Sequence, residues 1–186
     1  MYFEYLKGID MKINKTVFKI TLSAIFMSIA YVLPFITAQI PEIGSMLCPM
    51  HIPVILCGFI CGWKYGFVIG IIAPLLRGVT LGMPPLFPTA LAMSFELGTY
   101  GLVSGLMYKL MPKKIINIFF VLIIAMIVGR LVWGIAMFTL MGFELTKFNL
   151  TNFWSLAFVN ALPGIVIQIV LIPIIVITYN KIFKYN

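Results

Sequence analysis

The chain has 186 residues, 62% of them hydrophobic and 10% charged, with a formal net charge of +8 and a mean hydropathy of +1.12. A soluble domain of this length cannot hide that much apolar surface, so a soluble enzyme is excluded and an integral membrane protein is implied. The basic residues form no patch, which excludes a nucleic-acid partner, and the length leaves room for one helical bundle without a separate soluble domain.

In chain order, residues 1–16 read as a short cytoplasmic segment. "MKINKTVFKI", beginning at Met11, looks like a natural start, so either Met1 or Met11 opens the protein. The apolar run that follows has no small-x-small exit, and no cleavable signal is expected. A membrane span needs about 20 apolar residues, and six candidates fall at about 17–38, 50–63, 65–81, 89–110, 115–141 and 153–179. Pro34, Pro74, Pro163 and Pro173 lie within them and are expected to kink or interrupt the helices. The whole chain is therefore predicted to be one all-α transmembrane domain.

The lysines orient it. Lys7, Lys12, Lys15, Lys19, Lys64, Lys109, Lys113, Lys114, Lys181 and Lys184 fall on one side of this ladder, and the opposite loops hold only Lys147. By the positive-inside rule both termini are cytoplasmic. Cys48, Cys57 and Cys61 are too few for a disulfide framework. Too few ligands accompany them for a metal site, so packing is expected and no metal or cofactor is invoked.

Arg77 and Arg130 are the basic residues inside spans, and each calls for a partner or a wet cavity. Glu96 lies about seven residues, or ~10 Å, below the outer end of the fourth span. The topology brings Arg77, Glu96, Arg130, Asn160 and His51 toward one depth in the outer half, with His51 at the outer surface. Arg77 and Glu96 flank the turn "GMPPLFP" and are expected to pair across it. One reading is a structural ion pair with an incidental asparagine. The other, which accounts for the second arginine, is a cavity open to the outside that awaits an anionic ligand group. Tyr100, at i+4 from Glu96, and Trp133, at i+3 from Arg130, share a face with these charges and are candidate ligand contacts or interfacial belt residues. On the first span, Ala24 and Ser28 form a small-xxx-small face, suited to a partner helix or to packing within the chain.

The sequence has no G-x-x-x-x-G-K-[ST] loop, no H-E-x-x-H and no G-x-S-x-G motif, so it lacks an ATPase engine and a recognised catalytic set. A stand-alone secondary transporter of a small anionic metabolite is an alternative, although no inverted repeat is visible. An intramembrane enzyme is a weaker one.

The stretches "TLSAIFMSIAYVLPF", "MLCPMHIPVILCGFICGWKYGFVIGIIAPLL", "GMPPLFPTALAMSFELGTYGLVSGLMYK" and "VGRLVWGIAMF", in this order and spacing, resemble the substrate-binding S component of energy-coupling factor (ECF) vitamin transporters. The resemblance covers nearly the whole chain after about Lys15. It implies a six-helix bundle in a prokaryotic plasma membrane that captures a vitamin-like substrate near the outer surface. It also implies a membrane scaffold and two ATPase subunits that drive release inside. Ala24 matches the family's small-residue scaffold motif, with Ser28 in place of its second alanine. Ligand contacts are implied for the loop Gln39–Pro49, a lid or an ordinary connector, and for Glu96, Tyr100, Arg130, Trp133 and Asn160. Two arginines against one glutamate favour a carboxylate-bearing cargo, and pantothenate fits; riboflavin and a pyrimidine precursor stay open.

Overall fold

The computed structural model describes residues 14–37, 46–142, 153–155 and 159–183. The N-terminal segment before Asn14, most of the loop expected as a lid, and Lys147 lie outside them. Every longer element among the described residues is a helix: α1 Lys15–Val32, α2 His51–Cys61, α3 Trp63–Leu81, α4 Leu91–Leu110, α5 Ile115–Leu140 and α6 Leu162–Phe183.

Local chemistry sets these bounds. Asn14 caps α1, its side-chain oxygen accepting from the Thr16 N–H at 3.0 Å. The helix ends at Val32, two residues before Pro34, and tightens into a 3-10 stretch over Leu33–Thr37. Gly62, at φ 107°, separates α2 from α3, so the break falls one residue before the expected Trp63–Lys64. Gly82, at φ 69°, closes α3 in the left-handed conformation and returns its N–H to the Gly78 carbonyl. Pro74 and Pro173 lie inside α3 and α6. Pro163 does not break a span: it is the second residue of α6, where a missing N–H costs nothing.

Four helical stretches are long and apolar enough to cross a membrane: Lys15–Phe35, Trp63–Leu81, Ile115–Leu140 and Leu162–Ile182. The other two helices are the interior ones. At 11 residues α2 spans only about 16 Å, and nearly all of it is buried. Helix α4 carries Ser94, Glu96, Gly98, Thr99, Gly101, Ser104 and Gly105, which lower its hydropathy, and most of these are buried too. The polar and small residues of α4 sit on its buried face, against protein, so that face need not be apolar, while Phe95, Leu106 and Leu110 lie on its exposed one.

Close backbone approach joins α4 to α2 and α3. A Cβ on Gly101 would overlap the backbone of Gly66, and one on Gly70 would overlap that of Leu97. This fixes an antiparallel register in which α3 ascends as α4 descends. At the foot, Gly105 meets Trp63 and the Asn180 amide donates to the Tyr108 hydroxyl at 2.7 Å. The Tyr108 ring meets Phe59 edge-on at 5.0 Å. Lys64, Lys109, Lys113 and Lys181 therefore collect at one end of the bundle, and Arg77, His51, Glu96 and Arg130 lie toward the other.

Candidate functional site

The structure gathers a buried polar cluster from three helices. Glu96 and Tyr100 are one turn apart on α4, and the Tyr100 hydroxyl donates to Glu96 Oε1 at 2.9 Å. From α5, Arg130 Nη1 reaches the same oxygen at 3.0 Å. From the first residue of α2, His51 Nε2 approaches it at 3.4 Å. At that distance neither ring nitrogen of His51 makes a hydrogen bond. The His51 and Tyr100 rings lie 5.3 Å apart, tilted by 54°. All four residues are buried, Glu96 to 1% exposure. Gly129 makes the convergence possible, because a Cβ there would overlap the Tyr100 ring.

Cys48 completes the group. It stands just before α2 with φ 47°, a conformation unusual for a residue with a Cβ, and its sulfur accepts from Arg130 Nη2 at 3.4 Å. The sequence reading treated it as packing. Nothing in its apolar neighbours signals that a turn sets it against an arginine on a distant helix.

The expected Arg77–Glu96 pair is not formed. Along the α3–α4 register Gly70 faces Leu97 and Gly78 faces Ala90, so Arg77 sits about 9 Å above Glu96. Arg77 turns instead to α1. Its Nη1 donates to the Tyr31 carbonyl at 2.7 Å, and its guanidinium stacks over Phe35 at 4.8 Å. Beside it the Tyr31 hydroxyl and Thr80 Oγ1 are 3.0 Å apart. The carbonyls at a helix C-terminus attract a cation, which gives buried Arg77 a structural role.

His51, the first residue of α2, has its side chain buried at 2% exposure. Asn160 is exposed in the turn before α6, because that helix starts later than the expected span. Trp133 is buried one turn beyond Arg130, its ring stacked with Phe153 at 6.3 Å. Ala24 and Ser28 are both exposed, and the Ser28 hydroxyl folds back onto the Ala24 carbonyl at 3.0 Å. The inward face of α1 is Ser23, Phe26 and Ala30, so the small pair does not pack the bundle's own core.

A multi-helix membrane bundle with a charged, hydrogen-bonding cluster sealed in its interior defines a membrane protein with a candidate small-molecule site. Residues 18–176 match the family described as ECF transporter, substrate-specific component, and the chain belongs to that family. Membership makes it a multi-pass membrane protein and a substrate-specific transporter subunit, and implies partnership with scaffold and ATPase subunits and a small-molecule substrate. No curated protein and no solved structure matches the chain.

Proposed function

We propose that the chain is the high-affinity binding subunit of an ECF-type importer in a prokaryotic plasma membrane, and that a vitamin or related micronutrient docks on His51, Glu96, Tyr100 and Arg130. In this reading the six helices together form the membrane bundle, with the short α2 enclosed by the others, both termini are cytoplasmic, and two ATPase subunits supply the energy. The Glu96–Arg130 pair carries the proposal: buried charge in a membrane bundle is expensive, and its neighbours His51 Nδ1, His51 Nε2 and Arg130 Nε have no hydrogen-bond partner.

Pantothenate, favoured by the sequence, drew its support from two arginines facing one glutamate. With Arg77 engaged on α1 and Arg130 paired, that excess charge is gone, and riboflavin or a pyrimidine precursor stands level with it. Mass spectrometry of small molecules released from the purified protein tests the proposal. One retained micronutrient is expected. No retained molecule, together with no calorimetric binding across a vitamin panel, overturns it.

A further inference from the structure

Gln168 on α6 is 1% exposed and its Nε2 has no hydrogen-bond partner. A buried amide N–H left unpaired is costly, and neither charge nor periodicity explains it. Its place in the bundle follows from two contacts. Near the start of α6, Gly164 lies against the Met46 and Leu47 carbonyls. Near its end, Asn180 bonds Tyr108, whose ring meets Phe59 of α2. Helices α2 and α6 therefore run in the same direction, with Gly164 beside Leu47. Helix α6 descends about 6 Å from Gly164 to Gln168, which brings Gln168 to the level of the residues that lead into α2, between Leu47 and His51.

The unpaired groups at this level are mostly donors: Arg130 Nε–H, the Gln168 amide and, on a neutral imidazole, one N–H of His51. Meanwhile the fixed charges cancel, since Arg130 holds Glu96 at 3.0 Å. A carboxylate brought here would add an uncompensated negative charge, or else draw Arg130 away and strand Glu96; either is unfavourable in a buried site. A neutral oxygen acceptor satisfies the same donors without that penalty.

We infer that the cargo is an uncharged molecule presenting carbonyl or hydroxyl oxygens to this cluster, and that Gln168 is a ligand-binding residue donating one of the hydrogen bonds. The inference rests on the binding role proposed above and narrows it to a chemical class.

The test uses the purified chain in detergent, with calorimetry and thermal melting against pantothenate and pantothenol, nicotinate and nicotinamide, and riboflavin. The tightest binder is expected to be uncharged, and in any pair that binds, the uncharged member should bind at least about tenfold tighter than its carboxylate. Gln168→Leu should weaken the tightest binder roughly tenfold while the ligand-free protein melts no lower, because a buried unpaired amide is removed. Gln168→Met, which keeps the length of the side chain and carries no donor, should weaken it as well. A carboxylate as the tightest binder, or unchanged affinity in both variants, overturns the inference and leaves the binding reading intact. No binding by any probe and no molecule retained on purification overturns both.

Discussion

At the scale of single residues, the two arginines have opposite expected behaviour although both are buried in spans. Arg130→Ala leaves Glu96 buried without its cation and removes a charge-assisted contact, so ligand affinity should fall ten- to a hundredfold, about 1.5–3 kcal/mol. Unchanged affinity by calorimetry would take Arg130 out of the site. Glu96→Gln should destabilise the protein by about 3–5 kcal/mol by stranding Arg130, and pairing it with Arg130→Met should recover more than additivity allows. If the two single changes simply sum in thermal melts, the pair is not the unit described here. Arg77→Met should instead lower stability by about 1.5–3 kcal/mol through the lost bond to the Tyr31 carbonyl, with affinity unchanged. A tenfold loss of affinity in that variant would return Arg77 to the site.

At the scale of helices, the cluster depends on how close α4 and α5 can come. Gly129→Ala would drive a methyl into the Tyr100 ring, so Tyr100 must move and release Glu96. The expected cost is about 1–3 kcal/mol of overpacking together with weaker ligand binding. A variant that melts and binds like the parent would show that Tyr100 is free to move without consequence. The same geometry explains what the sequence could and could not reveal. Charged residues in apolar runs are visible without a structure, so Glu96 and Arg130 stood out, and Tyr100 followed from its i+4 spacing. Partner choice was not visible. Reading depth from nominal span ends placed Arg77 level with Glu96, whereas the Gly70–Leu97 and Gly78–Ala90 contacts set it over a turn higher, beside the end of α1. Asn160 was misplaced for a related reason, since α6 begins at Leu162 and not near residue 153. Cys48 and Gln168 carry no charge and no motif, and only the packing of α2 against its neighbours brings them forward.

At the scale of the whole molecule, the polar cluster and the outward face of α1 occupy different parts of the bundle. Ala24 and Ser28 are flanked by exposed Ile20, Ile25 and Ile29, and the Ser28 hydroxyl is turned back onto its own helix, which leaves a low apolar surface. Small residues four apart let another helix approach closely, and the scaffold subunit of the importer is the partner proposed for this face. Trp at either position would hold that helix off by the bulk of an indole. It would disturb none of the groups around Glu96, because both side chains point out of the bundle. Ala24→Trp and Ser28→Trp should therefore leave the affinity of the isolated subunit within about twofold of the parent, since surface changes away from a site rarely exceed ~0.5 kcal/mol. Uptake of the same substrate by cells carrying the complete importer should fall sharply in both variants. The two measurements on one protein separate binding from coupling. Full uptake with Trp at both positions would place the docking surface elsewhere on the bundle. Loss of binding alongside loss of uptake would mean that the outward face of α1 and the buried cluster are linked through the helix, and that coupling begins before the scaffold is met.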